Sequence, residues 1–203
     1  MSNIEKRTLQ GQPCELRSSN DAGNAPTTIF GYGAVFNTRS SVIAGTFVEE
    51  IAPGAFDGVM NDDVRALFNH DPNFVLGRTR SKTLQLSLDS RGLAYTITPP
   101  DTQMVRDLVL APMARGDVTG SSFRFIVAKD GDEWRQEGEL VVRTIHRFAE
   151  LLDVSPVTYP AYDESSSAQR SLDAWRQARD EGAHVAAITE RRARERFLDL
   201  INT

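Results

Sequence analysis

Apolar and polar residues alternate with a period of two along most of the chain before residue 160, and that pattern predicts short strands. Thr28 to Phe36 reads as a strand with Ile29, Val35 and Phe36 apolar, and Gly31 and Gly33 allow close packing or a bulge. Thr46 to Ile51 is a second strand, ended by Pro53-Gly54, and Gly54 to Met60 reads as one helical turn carrying Phe56, Val59 and Met60 inward. Val64 to Asn69 and Phe74 to Arg78 are further strands across an Asp71-Pro72-Asn73 turn. Leu84-Gln85-Leu86-Ser87-Leu88 alternates strictly and pairs with Leu93 to Ile97 across Asp89-Ser90-Arg91-Gly92. The period then changes. Met104, Val105, Leu108 and Val109 recur at helical spacing behind Asp101, a capping residue, and Pro112 and Gly116 end that helix. Strands resume at Ser122 to about Ala128, near Trp134, at Leu140 to Ile145 and at Leu152 to Thr158. Pro156 inside the last run predicts an edge, a bulge or the strand's end.

From Asp163 the character shifts. Asp163 to Ser167 reads as a linker, and Ser171 onward is charged and helix-favouring, with Gly182 marking a break. Val185, Ile188, Phe197, Leu200 and Ile201 form an apolar stripe suited to a partner helix. Residues 18–27 read as a loop. The expectation is a mainly β (α+β) domain over 1–161 and a linker with a charged helical tail over 162–203.

At 203 residues there is enough chain for one well-buried core. A net charge of −5 argues against a nucleic-acid binder, which usually presents a basic face. Cys14 is the only cysteine, so no disulfide forms within the chain and a reducing compartment is expected. The opening residues lack a signal-like apolar stretch, and nowhere do 18 apolar residues run together. A soluble intracellular protein without a membrane partner is the expectation.

The chemistry-bearing residues are few. In Gly120-Ser121-Ser122-Phe123-Arg124-Phe125, alternation puts Ser121 with the two phenylalanines and Ser122 with Arg124 on the other face. Ser122 is therefore the better candidate nucleophile and Ser121 its alternate. His70, one of three histidines beside His146 and His184, stands at a strand end and suits a general base. Asp153 lies among Leu151, Leu152 and Val154, where a carboxylate is costly unless paired, and a histidine would pair it. Glu150 and His146 are rival third members. His70-Asp71 also hints at a metal hydrolase, but no further ligands stand at metal-site spacing.

Five segments, in order, resemble the prohead (capsid maturation) serine proteases of tailed bacteriophages, similar in fold to the herpesvirus assemblins. They are Gly31 to Asn37, Ile51 to Phe56, Phe68-Asn69-His70-Asp71 with Val75 to Arg78, Arg115 to Phe123, and Asp153 to Ala161. The resemblance implies a β-barrel of about seven strands with flanking helices, with His70 as base, Ser122 as nucleophile and Asp153 as third member. Arg124 departs from the small residue common after Ser-Phe and would support the oxyanion or narrow the cleft. No metal or organic cofactor is implied. Action inside the assembling procapsid, in the host cytoplasm, is implied, on scaffold, on the N-terminal region of the major capsid protein and on the protease itself. Self-association and removal of the tail by self-cleavage fit that picture. A non-catalytic capsid-assembly or scaffolding protein on the same fold is the alternative.

Overall fold

A computed structural model of the chain describes residues 4–9, 14–17, 27–159 and 166–201. The expected 18–27 loop, apart from Thr27, and most of the expected linker lie outside these residues. In chain order the strands are β1 (Glu5–Leu9), β2 (Glu15–Arg17), β3 (Thr28–Val35), β4 (Val48–Ile51), β5 (Arg65–Phe68) and β6 (Asp71–Arg78). They continue with β7 (Leu84–Leu88), β8 (Gly92–Ile97), β9 (Gly120–Val127), β10 (Asp132–Glu137), β11 (Leu140–Ile145) and β12 (Phe148–Val157). Between β8 and β9, helix α1 (Gln103–Val105) runs through a π-helical turn (Arg106–Leu110) into α2 (Ala111–Arg115). The cap is Thr102, whose hydroxyl accepts from Val105 N at 3.3 Å, rather than Asp101. Pro112 lies in α2 directly after the π-helical turn, and Gly116 ends the helix at a φ of 83°.

These strands form three sheets, ordered β1-β9-β12-β5-β6, β10-β11-β4 and β2-β3-β8-β7. None closes into a barrel, which corrects the expected seven-stranded barrel. Closure requires the first and last strands of a sheet to pair. Here β1 and β6 end the largest sheet without meeting, and β3 connects toward β4 through the single bridge Phe36↔Ile51. Register shifts in β12 and between Tyr32 and Ala34 in β3 bend the strands out of any continuous ladder.

The inward faces meet in one aromatic-centred core. Phe56, from the turn segment after β4, lies 4.5 Å from the Phe148 ring, and Phe123 stacks on Phe125 at 4.7 Å. Ile29, Leu93, Ile97, Leu151 and Val154 complete the same cluster. β9 therefore buries Phe123 and Phe125 and turns Ser122 and Arg124 the other way, beside the central strand β12.

The chain divides into two compact units, Met1–Ser165 and Ser166–Thr203. In the second, α3 (Ser166–Ile201) is one 36-residue helix, uninterrupted at Gly182 where a break was expected. Val185 is exposed, and the side chains of the rest of the expected stripe lie outside the described residues. No helix among the described residues is long and apolar enough to cross a membrane.

Candidate active site

The site begins with the β5–β6 turn. Phe68 pairs with Asp71, leaving only Asn69 and His70 at the tip, in place of the expected Asp71-Pro72-Asn73 turn. Their φ values are 54° and 59°, the positive pair that a two-residue hairpin with the right twist needs. Asn and His tolerate this region better than most residues. Asp71-Pro72-Asn73 instead forms a side-chain-supported irregularity inside β6, with Asn73 N donating to Asp71 Oδ1 at 2.8 Å. Asn69 fastens the turn to the end of β12. Its backbone N–H donates to Pro156 O at 3.0 Å, its Nδ2 donates to Thr158 Oγ1 at 3.1 Å, and its Oδ1 accepts from Thr158 N at 2.8 Å. Pro156 fits in a central strand because pairing of β12 with β5 extends only over Asp153 and Val154.

The antiparallel register of β12 with β9 sets Ser155 opposite Ser122 and Asp153 opposite Arg124, so all four share a face. The His70 ring lies over that face. Its Nε2 is 2.7 Å from Ser122 Oγ and its Nδ1 is 2.5 Å from Asp153 Oδ1. Ser155 Oγ lies 3.1 Å from His70 Nδ1 and donates to Asp153 Oδ1 at 2.9 Å. The Arg124 guanidinium stands 3.7 Å from Asp153 Oδ2. Ser122 and Ser155 are fully buried, and His70 and Asp153 nearly so. A carboxylate against Nδ1 favours the tautomer with the proton on Nδ1, which leaves Nε2 as an acceptor facing the Ser122 hydroxyl.

β1 covers this arrangement. It pairs with the open edge of β9, Thr8 opposite Ser122 and Lys6 opposite Arg124. Ser122 Oγ lies 2.8 Å from the Arg7 carbonyl oxygen, to which it donates, and accepts from Thr8 Oγ1 at 3.2 Å. One hydroxyl proton thus faces two acceptors, the Arg7 carbonyl and His70 Nε2. Arg7 turns its side chain to the opposite face, over the Phe125 ring. There it grips Glu49 with two 2.7 Å bonds and Glu5 with another, while Arg143 joins Glu5, Glu49 and Asp132. Burial opposes the charge on Arg7, but Glu49 and Glu5 outweigh it and raise the guanidinium's pKa. Beside the imidazole a cleft of about 290 Å³ is lined by Lys6, Asn69, His70, Val157, Thr158 and Tyr159.

The alternates lie elsewhere. Ser121 points into the core side, donating to Tyr32 O at 2.7 Å and lying 2.9 Å from the Tyr95 hydroxyl. Gly31 makes this possible, since a Cβ there would strike the Tyr95 ring. Glu150 is exposed on β12, opposite Ile126. His146 is exposed and 3.4 Å from Glu133. No group of three metal-ligating side chains occurs among the described residues. Sequence reasoning missed Ser155, Asn69, Thr8 and Arg7 as neighbours of the site. Ser155 had a usable signal, since a residue two beyond Asp153 in a strand shares its face.

A hydroxyl, an imidazole and a carboxylate in series are the parts of an acyl-transfer hydrolase, recognised by geometry rather than chain order. The chain belongs to the caudovirus prohead serine protease family, which matches residues 12–178. That family implies a serine peptidase of the assembling procapsid, with capsid proteins in general as substrates. No curated protein and no solved structure matches the chain.

Proposed function

We propose that the protein is a serine endopeptidase of capsid maturation in which Ser122 is the nucleophile, His70 the general base and Asp153 the orienting anion. The observation that carries this reading is the unbroken series from Ser122 Oγ through the imidazole to Asp153, at 2.7 and 2.5 Å. Ser122 Oγ attacks the scissile carbonyl carbon and its proton passes to Nε2. The resulting imidazolium, held by Asp153, gives that proton to the leaving amine, and water then releases the acyl group by the same relay in reverse. Arg124 steadies the Asp153 charge from the far side.

The substrates in this reading are the N-terminal region of the major capsid protein, the scaffold, and the chain's own segment beyond the linker. Ser122 has no exposed surface while the Arg7 carbonyl engages it, so a substrate carbonyl enters only where β1 draws back from β9.

Intact-mass measurement of the purified protein, alone and co-expressed with the capsid precursor, tests the proposal. Wild-type protein should trim itself or the precursor, and Ser122→Ala should abolish both, whereas Ser121→Ala should retain cleavage in folded protein. Trimming that persists in Ser122→Ala would remove Ser122 from the mechanism. Unchanged masses for wild type and precursor alike would leave a passive assembly role on the same fold.

A further inference from the structure

Both hydrogen-bond partners of the Ser155 hydroxyl belong to the site: His70 Nδ1 at 3.1 Å and Asp153 Oδ1 at 2.9 Å. A serine that served only the strand would bond backbone or water. Ser155 is fully buried, faces Ser122 across the ladder, and stands on the same face as Asp153. We propose that Ser155 is a positioning residue that fixes the tautomer and tilt of the His70 ring. This assignment rests on the protease reading above.

A hydroxyl offers one proton and two lone pairs. With the imidazole proton on Nδ1, that N–H points at Asp153 Oδ1 and shares itself with a lone pair of Ser155, while the Ser155 proton goes to Asp153. Asp153 Oδ1 and the Ser155 hydroxyl are then both satisfied, and Nε2 remains an acceptor facing the Ser122 hydroxyl. With the proton on Nε2 instead, the Nδ1 lone pair would face a carboxylate oxygen at 2.5 Å. The single Ser155 proton would have to serve both, leaving a buried acceptor unpaired. Asp153 and Ser155 together therefore select the Nδ1–H form. The backbone cannot do this alone, because His70 sits at the tip of a two-residue turn where only its main chain is constrained.

The test pairs Ser155→Ala with Ser155→Thr, which restores a hydroxyl, in the full chain. For Ser155→Ala, kcat on a peptide substrate should fall by roughly 10- to 100-fold with KM little changed, as for loss of an outer partner that orients a catalytic histidine. Ser155→Thr should recover most of that loss. Independently of turnover, ¹⁵N resonances of His70 should report a single Nδ1–H tautomer in wild type and a mixture in Ser155→Ala. If Ser155→Ala unfolds, Ser155→Cys fills the same space with a poor hydrogen-bonding group, and both quantities are read on it. A variant lacking the hydroxyl that keeps kcat within about twofold of wild type while Ser122→Ala is inactive would overturn the assignment and leave the protease reading standing. A variant with an undisturbed Nδ1–H signal would overturn it as well. If Ser122→Ala cleaves as fast as wild type, the protease reading falls, and the tautomer measurement still decides the role of Ser155.

Discussion

Asn69 holds a positive φ and makes three hydrogen bonds to the end of β12, so a small side chain fixes where the imidazole begins. Asn69→Ala would lose the two amide bonds and put a less tolerant residue in the left-handed region, costing about 2–3 kcal/mol. Asn69→Gly would keep the backbone and lose only the amide bonds, so urea titrations should rank wild type, Gly, then Ala. Cleavage should fall in the same order, because the turn carries His70. A second residue makes a pH prediction. Burial pushes the Cys14 thiol up to about 11 from an ordinary value of 9.0. A raised acid binds more protons folded than unfolded, so its contribution is whole below pH 9 and is lost as pH climbs toward 11. Burial raises the Tyr95 phenol as well, adding in the same direction at higher pH. Unfolding followed from pH 8 to 11 should show falling stability, with the slope shallower in Cys14→Ala. The facing of β9 was readable at this scale, since two buried phenylalanines assign both serines to their sides. The partners of Ser122 on β1 were not, because a backbone carbonyl leaves no mark in a sequence.

At the scale of elements, the strand most at odds with its composition is β1. The sequence pattern predicts no strand at Glu5-Lys6-Arg7, yet Glu5 and Arg7 are buried and paired with Glu49 and Arg143. Period-two reasoning weighs apolar residues and is blind to a charge cluster whose members come from four strands. Such a cluster adds little over a packed apolar one, but breaking it is expensive because it strands a buried charge. Arg7→Met should therefore destabilise by about 3–5 kcal/mol, seen as a lower urea midpoint with unchanged slope. A loss under about 1 kcal/mol would mean that the two glutamates are relieved by Arg143 alone. The β5–β6 hairpin was legible as a pair of strands but misplaced by its turn. Asp71-Pro72-Asn73 has the stronger turn chemistry, yet the register put Asn69-His70 at the tip.

For the whole molecule, strand existence was largely legible and closure was not. Barrel or open sheets depends on which edges meet, and that is decided by bulges in β3 and β12 and by single bridges rather than by any local pattern. The helix after residue 165 was legible from its charge and composition, though Gly182 did not break it: one glycine costs a helix only about 1 kcal/mol. Because the chain divides at Ser165, a protein ending there should unfold cooperatively, with a midpoint close to that of the full chain. Aggregation or a broad transition would count against independent folding. The covering of Ser122 by β1 has a kinetic consequence. A fluorophosphonate, which phosphonylates a serine nucleophile with loss of fluoride, would have to wait for the edge strand to lift. At low reagent the labelling rate would rise with dose, and at high reagent it would level off at the lifting frequency itself. The plateau would be a stopwatch for one strand, and loosening the charges beneath Arg7 should speed it up.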